Sequence, residues 1–147
     1  MSHSSALALA LLAVACATPH LAPPVDAQLA LSDFFVRPVG PRGLEPSPEL
    51  LALRGKRVLV RGYMVAEQEP YPGLFMLAQV PVELAERADG PADDLPPATL
   101  YVHLPPDQRW STVGFVPGPL ELAGTLELGP EEELSGRVSY VRLQLDD

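Results

Sequence analysis

Five short runs of apolar residues, most of them alternating with polar residues, predict an all-β domain with one short helix. The chain of 147 residues contains 18 prolines and 11 glycines, and this many breakers disfavours long helices. We place the strands at residues 56–65, 74–78, 99–104, 120–128 and 137–145. Residues 31–147 have the length of a single domain of ordinary size.

The helix is predicted over residues 47–55. Ser47 is a favoured N-cap residue, and Pro48 suits the first helical position. Gly55 is suited to the left-handed conformation that commonly ends a helix.

The first strand shows the clearest alternation in the chain. Val58 and Val60 lie on one face, whereas Arg57, Arg61 and Tyr63 lie on the other. A turn rich in proline and glycine at residues 69–73 predicts a hairpin between this strand and the second.

The remaining strands are separated by longer connections. We expect a helical turn at 81–88 and an acidic, proline-rich loop at 89–97 before the third strand. Residues 105–118 are irregular, and residues 129–133 are expected to form the turn between the fourth and fifth strands.

One pattern occurs twice and points to the type of fold. It reads Val58-x-Val60-x-Gly62 in the first strand and Leu120-x-Leu122-x-Gly124 in the fourth. A glycine within a strand permits a bulge, a bend or the close approach of another backbone. Small closed barrels need such positions. We therefore predict a small five-stranded OB-like Greek-key barrel, with a β-sandwich as the alternative.

The N-terminal segment predicts export and a lipid anchor. An apolar run at residues 6–15 is too short to span a bilayer and ends in Ala13-Val14-Ala15, a small-x-small cleavage pattern. Cys16, the only cysteine, follows directly. We predict a signal peptide at 1–15 and a lipidated Cys16. The proline-rich tether at 16–30 would hold the domain at a membrane of the cell envelope, facing the periplasm. Because residues 1–5 contain no Lys or Arg, a soluble secreted or periplasmic protein and an uncleaved cytosolic chain are the alternatives.

Charge and composition argue against several functions. The formal net charge is −9, whereas binding to phosphate groups requires excess Lys and Arg, so no nucleic acid is expected as a partner. One cysteine and three histidines, of which only His103 lies in the domain, provide no structural zinc site. The acidic loop at 89–94 lacks the ligand spacing of a calcium loop. We predict no metal and no cofactor.

The candidate chemistry is sparse. His103 and Asp107, with Ser111 as the nearest downstream hydroxyl, are the only nearby residues that suggest a nucleophile and a base. They define a hydrolase-type alternative, while the main prediction has no catalytic residues.

Five residues form the predicted binding surface: Arg57, Arg61, Tyr63, Tyr71 and Tyr101. Outward-facing aromatic side chains line the ligand-binding face of many OB-folds. A less favoured reading of the same residues is a single-stranded nucleic-acid binder, in which bases stack beside a cationic groove. In another, the tyrosines pack beneath the long loops with their hydroxyl groups in water.

Parts of the chain resemble a family of bacterial exported OB-like proteins of unknown function. The resemblance rests on residues 53–65, the short strand at 75–77, Pro96-Pro97 ahead of Tyr101-Val102, and the Leu120 pattern. It implies the fold and the compartment. That family often carries a Cys-x-His motif ahead of the prolines, and residues 79–97 here contain neither residue. The export signal, the repeated strand–glycine pattern and the lack of a catalytic constellation together predict a non-catalytic envelope lipoprotein that binds or assembles with a protein partner or a small envelope ligand.

Overall fold

The computed structural model describes residues 24–84 and 95–146. They form six strands and one short helix: β1 (Ala27–Ala30), α1 (Pro48–Ala52), β2 (Arg57–Met64), β3 (Leu74–Ala78), β4 (Leu100–His103), β5 (Pro119–Glu132) and β6 (Val138–Leu145). Single 3-10 turns follow β1 at Leu31–Asp33 and β4 at Pro106–Gln108. The prediction of an all-β domain with one short helix is confirmed. Within these ranges, no helix has both the length and the apolar character needed to cross a membrane.

The strands belong to one mixed sheet whose pairings return to their starting point. The order is β1-β2-β3-β4-β6-β5, and β5 also pairs with β2. Five strands, β2, β3, β4, β6 and β5, thus form a closed ring of pairings. Neighbours in the ring are antiparallel except for β4 and β6, which run parallel. The predicted hairpin between β2 and β3 is confirmed.

The sixth strand, β1, was not predicted. Residues 27–30, which the sequence analysis assigned to the tether, run parallel to β2, with Ala27 opposite Val58 and Ala30 opposite Arg61. On β2, only Tyr63 and Met64 pair with β3. Strand β1 therefore occupies the part of the β2 edge that β3 leaves open. The ordered domain begins before Leu31 because this edge needs a backbone partner.

The helix follows the predicted signals. Ser47 accepts a hydrogen bond from the Leu50 backbone N–H at 3.0 Å, and Pro48 is the first helical residue. Gly55 has a φ of +73° just after the helix. Leu50 is the one fully buried residue of α1 and packs into the main core.

Strand β5 is longer than predicted. The expected turn at 129–133 is wrong, because pairing resumes after Leu128, with Glu131 opposite Ser139 and Glu132 opposite Val138. The register shifts between Leu128 and Glu131. A bulge leaves residues unpaired, so Pro130, which has no backbone N–H, is tolerated inside the strand. The reversal of the chain lies closer to Gly136.

Apolar side chains form two clusters on opposite sides of the strands. The main core lies inside the ring and includes Val58, Val60, Leu126 and Leu143, all without exposed surface. A smaller cluster covers the outer side of β3 and β4: Val65, Leu74, Met76, Ala78, Leu84 and Tyr101. Because β3 packs on both faces, all five of its residues are buried.

The two glycines of the repeated pattern lie where other chain segments approach closely. A Cβ atom on Gly124 would be 2.3 Å from the Gln144 carbonyl oxygen. On Gly62 it would be 3.0 Å from the Ala78 carbonyl oxygen and 2.9 Å from Leu31 Cδ1. Gly62 thus marks the point on β2 where β1 ends and β3 begins.

Candidate functional site

A polar cluster lies where β4 meets the end of the β5–β6 hairpin. His103, at the end of β4, has its Nε2 atom 3.0 Å from Oε2 and 3.2 Å from Oε1 of Glu133. Glu133 follows β5 and is only 9% exposed. Residues 30 positions apart in the chain are thus joined by a charge-assisted hydrogen bond, which ties the hairpin to the centre of the sheet.

Two residues of β6 complete the cluster. The Ser139 hydroxyl donates to Glu133 Oε1 at 2.5 Å. Arg142, 6% exposed, donates through Nη1 to Ser139 Oγ at 3.2 Å and to the Gly129 carbonyl at 2.6 Å. The Arg142 Nε atom is 3.2 Å from a Glu131 oxygen without making a hydrogen bond in the described structure, so that attraction is electrostatic alone. This cluster secures both sides of the bulge.

The two titrating groups of the cluster shift each other's pKa. The hydrogen bond to Glu133 raises the pKa of His103, against an opposing effect of burial. For Glu133, burial pushes the pKa upward, but the hydrogen bonds from His103 and Ser139 outweigh it and leave the pKa below its ordinary value. Both shifts favour the ion pair of imidazolium and carboxylate.

The order of the groups differs from that of a catalytic triad. In such a triad the imidazole lies between the hydroxyl and the carboxylate. Here the Glu133 carboxylate lies between Ser139 and His103, and Ser139 has no exposed surface. Asp107 and Ser111, the partners that the hydrolase alternative needs, lie exposed on the segment after β4. Neither makes a hydrogen bond or ion pair with His103 in the described structure.

A cleft of about 370 Å³ opens beside this cluster. His103, Glu131 and Glu132 line one side of it, and Pro106 and Arg109 line another. The cleft therefore separates the hairpin end from residues 105–118, which we call the aromatic loop.

The aromatic loop is held by backbone hydrogen bonds. Gly73, in the β2–β3 connection, donates to the Ser111 carbonyl at 2.7 Å and accepts from the Leu104 N–H at 3.0 Å. Gly73 has a φ of +73°, and a Cβ atom there would be 2.2 Å from the Arg109 carbonyl oxygen. Near its end, the loop meets β2, where the Val116 N–H lies 3.4 Å from the Met64 sulfur. Only glycine fits at position 73.

Large apolar side chains of this loop face solvent. Trp110 is 69% exposed and Phe115 is 54% exposed, and Val116 is also exposed. The Arg109 guanidinium lies 5.4 Å from the centre of the Trp110 ring, a cation–π arrangement. From the sequence, residues 105–118 were predicted only to be irregular. The available sequence signal for an exposed apolar surface was the presence of Trp110 and Phe115 in a segment that is rich in proline and glycine.

Three of the predicted binding residues, Arg57, Tyr71 and Tyr101, have partners within the protein. Arg57 forms an ion pair with Asp146, with Nη2 2.7 Å and Nε 2.8 Å from the same carboxylate oxygen. Tyr101 is 7% exposed and belongs to the outer apolar cluster, so its ring is packed against neighbouring side chains and does not form part of an open binding surface. Tyr71 is half-buried in the β2–β3 connection.

Arg61 and Tyr63 lie on the solvent-facing side of β2, as the alternation predicts. Arg61 is exposed and Tyr63 is half-buried. Neither side chain has a hydrogen bond or ion pair with any described residue, and β5 places Glu121 opposite Arg61. A depression of about 340 Å³ beside Arg61 is lined by Gln28, Asp33 and Gln79, among others.

Some predictions concern residues outside the described ranges. Cys16, the signal peptide and most of the tether precede residue 24, and most of the acidic loop falls at 85–94. Residues 24–84 and 95–146 contain no group of three or more His, Cys, Asp or Glu side chains arranged to hold a metal ion.

Comparisons with known proteins return one structural neighbour. No protein-family model and no curated protein matches the chain. The crystal structure of a DUF3299 family protein from Pseudomonas aeruginosa is similar, with 14% sequence identity and a TM-score of 0.46. The alignment covers 82% of this chain and 92% of that one. The neighbour is, like the family that the sequence resembles, a bacterial protein of unknown function, and at this score it carries no argument about function.

Proposed function

We propose that this protein is a non-catalytic binding or assembly module of the bacterial cell envelope, anchored by lipid on Cys16. Its partner would be an envelope protein that docks on the β2 face around Arg61 and Tyr63. A small anionic ligand in the depression beside Arg61 is the alternative occupant of the same surface.

One observation carries the proposal. Arg61 presents a guanidinium group with no partner among the described residues, on the same face as a half-buried Tyr63 that also has none. Arginine and tyrosine are enriched among the residues that dominate binding energy at interfaces. A partner carboxylate would form a charge-assisted pair with Arg61, and an apolar group beside it would cover the Tyr63 ring.

The proposed fold is an OB-like barrel. The closed ring of five strands, the single parallel pair between β4 and β6, and the crowded glycines at positions 62 and 124 support it. In a five-stranded Greek-key barrel the strands curve tightly, and glycine permits that curvature. Strand β1 would be an addition to the barrel edge.

The proposed anchor follows from the sequence around Cys16. Mass spectrometry of the mature protein from a bacterial envelope fraction tests it directly. We expect an N-terminus at Cys16 with a diacyl or triacyl modification, and a Cys16→Ser variant that is released into the soluble fraction. An intact Met1 N-terminus would overturn both export and anchoring.

The binding surface is tested by site-specific crosslinking followed by measured affinity. A photocrosslinking amino acid at position 63 should capture one discrete envelope protein, whereas the same group at position 54 should not. With that protein purified, Arg61→Ala and Tyr63→Ala should each weaken binding about tenfold or more. Arg57 is left unchanged because it pairs with Asp146.

The control is Arg54→Ala, which removes the same charge from an exposed position before β2. It should leave affinity unchanged, apart from a small long-range electrostatic effect that salt removes. Equal losses for Arg54→Ala and Arg61→Ala would refute the assignment of the β2 face. If no protein is captured and small carboxylates or phosphates bind with saturation in a manner that Arg61→Ala weakens, the small-ligand alternative is selected.

A further inference from the structure

The aromatic loop is a second candidate for an interaction surface, separate from the β2 face. Trp110 and Phe115 are the most exposed aromatic side chains of the described residues. Across the neighbouring cleft, Leu134 is also strongly exposed. Exposed apolar groups gathered in one region commonly mark a docking site.

The loop holds these side chains in place before any partner binds. Its hydrogen bonds to Gly73 and its contact with Met64 fix both ends, and turns at Gln108 and Ser111 close its first half. A preorganised surface loses little conformational entropy on binding, which favours affinity. Aromatic side chains held this way are typical anchors of protein interfaces.

Charge decides between the possible occupants. The cleft beside the loop is lined by three carboxylates, Glu131, Glu132 and Glu133, against His103 and Arg109, and Asp107 is exposed on the loop itself. The whole chain carries a net charge of −9. An anionic membrane surface and a second copy of this chain would both be repelled. A partner segment that alternates apolar and basic side chains is complementary to the exposed aromatic side chains of the loop and to the carboxylates of the cleft.

We infer that the aromatic loop and the adjoining cleft dock an extended protein segment with alternating apolar and basic side chains. Apolar side chains of that segment would cover Trp110 and Phe115. Its lysine or arginine side chains would lie against Glu131 and Glu132. The surface operates independently of Arg61 and Tyr63.

Trp110 makes the test direct, because it is the only tryptophan in the chain. Its emission should lie at long wavelength in the free protein and shift to the blue, with saturation, when the loop is covered. The probe is a synthetic twelve-residue peptide that alternates leucine and lysine, titrated into the protein. Matched peptides replace all lysines by glutamate, or all leucines by serine.

We expect the leucine–lysine peptide to bind at least tenfold more tightly than either matched peptide, as measured by the shift in Trp110 emission. Phe115→Ala should weaken that binding by about tenfold, and the double variant Glu131→Gln, Glu132→Gln by a comparable factor that salt reduces. Leu51→Ala, which removes an exposed leucine on α1, should leave the titration unchanged. Arg61→Ala should also leave it unchanged, which separates this surface from the one proposed above.

Three results would overturn the inference. The first is equal binding of the lysine and glutamate peptides. The second is a blue shift produced only by vesicles of phosphatidylethanolamine and phosphatidylglycerol. The third is a shift on raising the protein concentration alone, accompanied by dimers in sedimentation, which would make the surface a self-association site.

Discussion

Replacing Gly73 by alanine tests how the aromatic loop is positioned. Gly73 and Gly55 have the same φ of +73°, so alanine at either position meets the same backbone strain. Around Gly55 nothing lies within 4 Å of an added Cβ atom, whereas at Gly73 the Arg109 carbonyl oxygen would be 2.2 Å away. Gly55→Ala is therefore the matched control.

The expected magnitudes follow from these contacts. A left-handed alanine costs about 1–2 kcal/mol, partly offset because alanine restricts the unfolded chain. We therefore expect Gly55→Ala to destabilise the protein by about 1 kcal/mol. In Gly73→Ala the loop must move, which removes the bonds from Gly73 to Ser111 and from Leu104 to Gly73. At about 1 kcal/mol for each bond, the total becomes about 3 kcal/mol.

Urea unfolding of both variants, followed by far-UV circular dichroism, measures the difference. The free energy of unfolding should fall about 2 kcal/mol further for Gly73→Ala than for Gly55→Ala, at equal m-values. Trp110 emission should change in the folded state of Gly73→Ala and not in that of Gly55→Ala. Equal destabilisation by the two substitutions would refute the argument that Gly73 admits the loop backbone.

Three further predictions concern the cluster, the core and an ion pair. Folding raises the pKa of His103, so protonated His103 stabilises the folded state. This contribution is complete below pH 6.5, the ordinary pKa of histidine, and is lost as the pH rises through the folded pKa. Folding lowers the pKa of Glu133, so its carboxylate contributes to stability above pH 4.5, and this contribution is lost on acidification through the folded pKa. The pair therefore stabilises the protein most between pH 4.5 and pH 6.5. Glu133→Gln should flatten this pH dependence in urea unfolding and lower the His103 pKa seen by NMR; an unchanged His103 titration would contradict the pairing. Leu126→Ala, at a position without exposed surface, should cost about 2–5 kcal/mol in urea unfolding, and a loss below 1 kcal/mol would place Leu126 outside the core. A double-mutant cycle on Arg57 and Asp146, 2.7 Å apart and partly exposed, should give a coupling of about 0.5–1 kcal/mol that decreases in high salt; no coupling at low salt would count against the pair.

Local patterns predicted most of the secondary structure because they depend on near neighbours in the chain. The alternation in β2 requires only that one face be buried. The limits of α1 follow from a cap at Ser47 and a stop at Gly55. In contrast, β1 has no distinctive pattern of its own. It forms because a length of the β2 edge is free, and that depends on where the β2–β3 hairpin begins.

The candidate sites show the same division between features that local sequence patterns predict and features that depend on contacts between distant segments. Exposure of Arg61 follows from the alternation of β2, but the ion pair between Arg57 and Asp146 joins residues far apart in sequence. Tyr101 alternates as a surface residue would, yet it is buried because Leu84 and Leu95 pack on the outer side of β3 and β4. A second layer over a strand cannot be read from the strand itself.

By itself, the sequence determined an all-β domain with one capped helix and the course of its principal strands, because these depend on local preferences and on the alternation of apolar residues. The pattern around Cys16 predicts export and a lipid anchor, and mass spectrometry of the mature protein tests that prediction. The tertiary structure alone decided which polar groups meet. The parallel pairing of β4 with β6 and the bulge in β5 bring His103 to Glu133, Ser139 and Arg142. The packing of the β2–β3 connection at Gly73 leaves Trp110 exposed. Both outcomes depend on strand register and on contacts between distant segments, which no local pattern encodes.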